Sequence, residues 1–174
     1  KTMTQVLENS INTGMMFVED KLGHERFRDY VEKFGFGEKT GIELGPEAAG
    51  DISSLNRKGE IFGAVGSFGQ GLTVTPIQLA TAYSAIANQG LLPKPHIITE
   101  TRYPNGKKEI TPIEKSEQIF SERTAKLLSG MLTSVVENHY KIAKIKGYYV
   151  AGKTGTAQIA EGGKYSDERT NHTF

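Results

Sequence analysis

The sequence predicts an α+β layered fold in which helices flank an antiparallel sheet. Its helical segments and its strand segments come in separate groups along the chain, whereas a parallel sheet needs strands that alternate with helices. The 174 residues are the size of one ordinary domain and can bury a core. These observations favour one layered domain over a chain of repeated units.

Apolar spacing and capping residues predict five helical segments. In the third, apolar residues recur at i, i+3, i+4 and i+7, which is the stripe of an amphipathic helix. The fourth opens on Thr75-Pro76, an N-cap followed by proline, and is apolar on most sides, as buried helices are. Residues 3–7 are predicted to be the end of a helix, and further helices are predicted at residues 15–22, 24–34 and 76–88. The last predicted helix is capped by Ser121 and carries Leu128, Met131, Leu132 and Val135 on one face.

The remaining stretches predict loops and strands. Residues 38–75 are rich in Gly, Ser, Asn and Thr and are predicted to be mostly ordered loop. Residues 95–103 alternate well enough for a strand, and "PNGK" at 104–107 is turn chemistry, so Glu109 and Ile110 are expected to pair back. Strand formers at 148–150 and a polar hairpin at 161–167 complete the prediction.

Composition excludes several classes of function. The 21 basic and 20 acidic residues nearly cancel, so the chain has no electrostatic footprint for nucleic acid or an anionic membrane. Cysteine is absent, which removes disulfides, thiolate metal sites and cysteine nucleophiles. The four histidines lie far apart, so no metal site is predicted, and no cofactor is predicted either.

The stretch "GYYVAGKTGTAQ" at 147–158 fits two incompatible motifs. Its first part matches the phosphate-binding pattern G-x-x-x-x-G-K-[ST], but the variable positions are strand formers and Gly155-Thr156 is a poor start for the helix that such a loop requires. Lys153-Thr154-Gly155 also matches the K-T-G motif of penicillin-binding proteins and serine β-lactamases. By itself, the tripeptide is better explained as an ordinary glycine-rich strand edge with one exposed lysine.

A second motif, Ser10-Ile11-Asn12, lies at a predicted break between two helices. By itself it is explained as a helix N-cap, because both Ser and Asn are favoured there. However, Ser-x-Asn well upstream of Lys-Thr-Gly is the order found in penicillin-recognising enzymes.

Together with four longer segments, these motifs carry a family resemblance. The segments are "MTQVLENSINTGMMFVEDKLG", "KFGFGEKTGIELGPEAAGDI", "SFGQGLTVTPIQLATAYSAIANQG" and "VAGKTGTAQ". In them the chain resembles the transpeptidase domain of class B, monofunctional penicillin-binding proteins, within the β-lactamase-like superfamily of serine acyltransferases. The resemblance implies a domain in which helices flank a five-stranded antiparallel sheet, of which residues 1–174 are expected to be an incomplete part that lacks the last strands and helix.

The resemblance implies roles for six residues. Ser10 would belong to a proton relay, Asn12 would hydrogen-bond the substrate amide, and Lys153 would bring positive charge near the substrate carboxylate. The hydroxyls of Thr154 and Thr156 would contact that carboxylate. The Thr156 N–H would form half of an oxyanion hole, and Gly155 would let the substrate lie beside the strand.

The family's nucleophile, the serine of a Ser-x-x-Lys motif, is expected upstream of Lys1, because no serine here has lysine three positions later. The chain alone is therefore predicted to be inactive. The resemblance implies a peptidoglycan D,D-transpeptidase that acts on D-Ala-D-Ala stem peptides and binds β-lactams.

The implied location is the extracytoplasmic face of the bacterial membrane. There the parent protein would work with a membrane glycosyltransferase and the division or elongation machinery. A β-lactam-sensing or non-catalytic relative is the alternative.

Overall fold

The structure, a computed structural model, describes residues 1–114, 116–161 and 164–174. The helices predicted from periodicity and capping all form, and α1 is a complete short helix, not the end of a longer one, because Thr2 and Gln5 make a capping box at its start. The helices are α1 (Met3–Glu8), α2 (Asn12–Leu22), α3 (His24–Lys33), α4 (Glu60–Gly66), α5 (Pro76–Ala87) and α6 (Glu122–His139).

Helix α4 lies within the segment 38–75, which was predicted to be mostly loop, and that prediction is wrong at this point. A side chain at Gly63 would lie 2.0 Å from Oε1 of Glu19 and 2.4 Å from Nδ1 of His24, so α4 packs directly onto α2 and α3. Short helices owe most of their stability to such packing and not to local propensity. The same segment contains a 3₁₀ turn at Ser53–Asn56.

The strands are β1 (Leu91–Leu92), β2 (Glu100–Arg102), β3 (Lys108–Ile110), β4 (Glu117–Gln118), β5 (Gly155–Glu161) and β6 (Lys164–Thr173). They form three antiparallel pairs, β1 with β4, β2 with β3, and β5 with β6. The predicted return of residues 109–110 across the "PNGK" turn is confirmed, since Glu100 pairs with Ile110 and Thr101 with Glu109. The α+β architecture predicted from the sequence is therefore observed.

Two strand predictions are wrong in extent. Only β2 forms within residues 95–103. Residues 148–150 lie outside the strands, with Tyr148 and Tyr149 74% and 90% exposed, and β5 starts only at Gly155, where pairing with Thr173 begins. Strand formers without a pairing partner remain loop. Residues 164–167 of the predicted hairpin belong to β6, residue 161 ends β5, and positions 162–163 lie outside the described residues.

The core lies where α5 and α6 pack together and α1 packs on α6. The predicted face of α6 is confirmed, with Leu132 and Val135 buried and Leu128 and Met131 half-buried. The buried apolar residues are Val6, Leu55, Ala82, Ala85, Ile119, Ala125, Leu132, Val135 and Val136. Among the helices of the described residues, none is long and apolar enough to cross a bilayer.

A buried glutamine ties α5 to the preceding loop. Gln78 is 1% exposed, and its Nε2 donates to the carbonyls of Glu38 at 2.6 Å and Ala49 at 2.7 Å. Its Oε1 accepts from the Thr75 N–H at 2.8 Å, as part of the capping box that begins α5. The amide therefore fixes the start of the helix that forms one wall of the groove described below.

Candidate active site

Ser10 is the turning residue between α1 and α2. It has a left-handed backbone with φ of 47°, which is uncommon outside glycine, and it is exposed. The N-cap of α2 is Ile11, which makes no side-chain capping bond. The capping explanation of Ser10 is therefore wrong, and its hydroxyl is available to another part of the chain.

That other part is Lys153, 143 residues along the chain. Its Nζ donates to Ser10 Oγ at 2.5 Å, to the Thr154 carbonyl at 2.9 Å and to Thr154 Oγ1 at 3.4 Å. An ammonium group has three protons to donate, so these three acceptors match its capacity. The fold thus brings the Ser-x-Asn and Lys-Thr-Gly motifs into direct contact.

This contact defines how the Ser10 hydroxyl is hydrogen-bonded. A hydroxyl can accept and donate at once, and here the lysine fills an acceptor position and leaves the hydroxyl proton free to be passed on. The lysine also places a positive charge, half-buried, at the junction of the two motifs. A localised positive charge attracts anionic ligands.

Helix α6 holds both sides of this junction, through residues that the sequence analysis missed. Near one side, Glu8 at the end of α1 accepts hydrogen bonds from Ser134 at 2.6 Å and Asn138 at 2.7 Å, which hold the pKa of its carboxyl below the usual value. On the other side, the hydroxyl of Tyr140, at the end of α6, lies 2.8 Å from Thr154 Oγ1. Both contacts join residues distant in sequence, so no local sequence pattern predicts them.

The next two residues of the motif lie on β5 against β6. A Cβ at Gly155 would come within 2.5 Å of Oγ1 of Thr173 on the neighbouring strand, so any other residue there would require the Thr173 side chain to move. Thr156 Oγ1 lies 3.2 Å from Nδ1 of His172, its partner on β6, and is exposed. His172 is a further neighbour of the site that the sequence analysis did not select.

Asn12 stands apart from this hydrogen-bonded group. It begins α2 two residues after Ser10, with an exposed side chain. The bonds described at the junction join Ser10, Lys153 and Thr154 and do not reach it. The structure therefore joins three of the six predicted residues by hydrogen bonds, continues into Gly155 and Thr156 on β5, and leaves Asn12 outside that group.

A groove of about 740 Å³ opens beside the lysine. One wall is the face of α5 that carries Leu79 and Tyr83, another is the segment 151–155, and the end of β6 closes it with Phe174. Partial burial raises the pKa of the Tyr83 hydroxyl above its usual value. A mostly apolar cleft with a few polar groups is typical of ligand sites.

The geometry agrees with the sequence-based rejection of the phosphate-binding loop. Lys153 and Thr154 lead into strand β5 and not into a helix, so the helix N-terminus that would hold phosphates is absent from this point of the described chain. Within the same described residues, no group of three His, Cys, Asp or Glu side chains is placed to hold a metal ion.

Comparison with known proteins matches the whole chain to one family. The model of the penicillin binding protein transpeptidase domain matches residues 1–174. Stage V sporulation protein D of Bacillus subtilis is 43% identical over 99% of the chain, and the peptidoglycan D,D-transpeptidase FtsI of Escherichia coli is 32% identical over the same share. The chain spans only 27% and 28% of these two relatives.

A solved structure gives the same result. Penicillin binding protein 3 of Mycobacterium tuberculosis, complexed with ampicillin, superposes with a TM-score of 0.92 at 34% identity. The superposition covers 98% of this chain and 40% of that one. The same protein complexed with aztreonam superposes with a TM-score of 0.88. By the family match over its whole length and by this fold, the chain belongs to the penicillin binding protein transpeptidase domain family.

Proposed function

We propose that these 174 residues are part of a peptidoglycan D,D-transpeptidase that cross-links stem peptides through a serine acyl-enzyme and binds penicillin. The observation that carries the proposal is the 2.5 Å hydrogen bond from Lys153 Nζ to Ser10 Oγ, because it joins the two motifs into one reactive centre. The names of the relatives support it, since FtsI is a peptidoglycan D,D-transpeptidase and penicillin binding protein 3 was solved with ampicillin.

In this proposal the nucleophile belongs to a part of the protein outside residues 1–174. No serine in the chain is followed by lysine three positions later, so the Ser-x-x-Lys motif has to be supplied from elsewhere. The chain contributes the second and third motifs of a transpeptidase domain and lacks the first motif and the strands and helix that complete the sheet. By itself it forms no acyl-enzyme.

The residues at the junction would handle protons and charge. The incoming serine passes its proton to the lysine of its own motif as its oxygen bonds to the carbonyl of the penultimate D-Ala, and that proton has to reach the amine of the terminal D-Ala as the C–N bond breaks. Ser10 relays that proton, since its oxygen already accepts from Lys153 and its own proton is free. The ammonium of Lys153 lowers the proton affinity of the lysine in the first motif and attracts the substrate carboxylate.

The remaining residues would bind the substrate. The hydroxyls of Thr154 and Thr156 contact the terminal carboxylate, and Asn12 hydrogen-bonds the stem-peptide amide. The N–H of Thr156 donates to the developing oxyanion together with the N–H of the nucleophile, an arrangement worth about 10² to 10³ in rate per donor. Gly155 keeps the edge of β5 free of a side chain that would separate the peptide from the backbone.

The proposal extends to the setting of the whole protein. A peptidoglycan transpeptidase acts where its substrate is, on the extracytoplasmic face of the bacterial membrane. Its products are cross-links between glycan strands, so it works beside a membrane glycosyltransferase and the division or elongation machinery.

A labelling experiment on the whole protein tests the proposal. Incubation with a fluorescent penicillin, followed by peptide mass spectrometry, is expected to find the adduct on the serine of a Ser-x-x-Lys motif outside residues 1–174. Turnover of a thioester stem-peptide mimic then separates a transpeptidase from a relative that only binds. An adduct on any serine of this chain, or magnesium-dependent nucleotide binding without labelling, would refute the proposal.

A further inference from the structure

Tyr140 is held at two points, by its ring and by its hydroxyl. It follows the last residue of α6, and its ring packs against that of Phe174 at 5.9 Å between centroids, tilted by 58°. Its hydroxyl lies 2.8 Å from Thr154 Oγ1, and the side chain is half-buried. Because the ring packs against Phe174 and the backbone ends a helix, the Tyr140 side chain has little freedom to move. Its hydroxyl therefore constrains the position of Thr154 Oγ1.

The hydrogen bonds around Thr154 decide which way its own proton points. A hydroxyl oxygen accepts two hydrogen bonds and donates one. Lys153 Nζ, 3.4 Å away, is a cation that can only donate, so it occupies one acceptor position. A phenol is a stronger acid than an aliphatic alcohol, so in the pair with Tyr140 the phenol donates and fills the second position.

With both acceptor positions filled, the proton of Thr154 can only be donated outward. Thr154 and Lys153 both line the 740 Å³ groove, so the positive charge and the free hydroxyl proton meet the same ligand. A carboxylate accepts from both, whereas a carboxamide offers one acceptor oxygen and no negative charge.

We propose that Tyr140 is a positioning residue that makes Thr154 a hydrogen-bond donor into the groove, and so gives the site its preference for a ligand with a terminal carboxylate. This inference rests on the proposed function, because it assigns Tyr140 to recognition of the stem-peptide terminus. It adds a residue from the end of α6 to a site built so far from Ser-x-Asn and Lys-Thr-Gly.

The test compares two matched variants of the whole protein, Tyr140→Phe and Tyr149→Phe. Each loses one phenol hydroxyl, but Tyr149 is 90% exposed and lies outside the hydrogen bonds described for the site. The probes are acetyl-D-alanyl-D-alanine and its C-terminal amide, with Kd measured by calorimetry. Tyr140→Phe is expected to raise the Kd of the carboxylate about three- to tenfold, to raise that of the amide less and to keep the melting temperature, while Tyr149→Phe changes neither Kd.

A double-variant comparison separates positioning from a general structural role. Thr154→Val removes the hydroxyl on which Tyr140 acts, so adding Tyr140→Phe to it should produce no further loss of carboxylate affinity. An additive loss, an equal change for carboxylate and amide, or no change in Tyr140→Phe would overturn the assignment.

Failure of the role assigned to Tyr140 can be distinguished from failure of the proposed transpeptidase function. A wild-type protein that prefers the carboxylate but is not acylated by penicillin would defeat the transpeptidase proposal and leave the role of Tyr140 in place. A wild-type protein without any preference for the carboxylate would overturn the role of Tyr140, whatever its acylation.

Discussion

Replacing Gln78 by leucine is expected to destabilise the fold around α5 by about 3 kcal/mol, although the two side chains are similar in size. Gln78 is 1% exposed, and its side-chain amide donates hydrogen bonds to the carbonyls of Glu38 and Ala49 and accepts one from the N–H of Thr75. Leucine leaves all three groups without that partner, and a buried polar group left unsatisfied costs about 1 to 3 kcal/mol. Glu38 is exposed and Ala49 and Thr75 are half-buried, so each lost partner is expected to cost close to the lower end of that range. The lower end of that range, about 1 kcal/mol for each group, gives the estimate, because the added apolar burial of leucine offsets part of the loss.

Hydrogen exchange of peptides from α5, recorded in the whole protein at increasing urea, measures this loss locally. The control is Ser84→Ala on the same helix, which removes an exposed bond from Oγ to the Ala80 carbonyl and is expected to change local stability by less than about 0.5 kcal/mol. If Gln78→Leu is no more destabilising than Ser84→Ala, the hydrogen bonds of Gln78 do not hold the start of α5, and the reasoning is refuted.

Two further predictions concern α6. Glu8→Gln removes the negative charge that accepts hydrogen bonds from Ser134 and Asn138. Because these bonds lower the pKa of Glu8 in the folded protein below 4.5, the wild type should be more stable than the variant at neutral pH. The melting temperatures of the two proteins should converge as the pH falls below about 4.5. A melting-temperature difference that is constant from pH 7 to pH 3 would contradict this. Gly130→Ala is expected to raise the free energy of unfolding, measured in urea, by about 1 kcal/mol. Gly130 lies in the interior of α6 on its exposed side, and an added Cβ would have nothing within 4 Å. A loss of stability would show that the added methyl group meets a contact that the structure does not have.

The parts of the fold that were predicted correctly are those encoded by neighbouring residues. Thr75-Pro76 and Ser121 cap their helices as expected, because a cap needs only the residues next to it. Helix α4 was missed because its packing against Glu19 and His24, distant in sequence, stabilises it. Tyr148 and Tyr149 misled the strand prediction because their residue types favour strands but no partner strand pairs with them in the described residues.

The site residues also divide into those that the sequence motifs predict and those that only the fold reveals. The order of Ser-x-Asn and Lys-Thr-Gly, with the long segments between them, was specific enough to identify the family and to select Ser10, Lys153 and Thr154. Glu8 and Tyr140 could not be selected, because a glutamate at a helix end and a tyrosine after one are ordinary residues until the fold brings them to their partners. Residues that position a motif leave no pattern in the local sequence.

The central claim is that Lys153 and Ser10 form one reactive centre for acyl transfer. The most direct test is the rate at which a fluorescent penicillin acylates the whole protein, measured for Lys153→Gln beside Lys146→Gln, an exposed lysine seven residues earlier. Loss of the oriented charge is expected to slow acylation about 100-fold or more in Lys153→Gln, while Lys146→Gln reacts as wild type does. Equal rates in the two variants would contradict the claim.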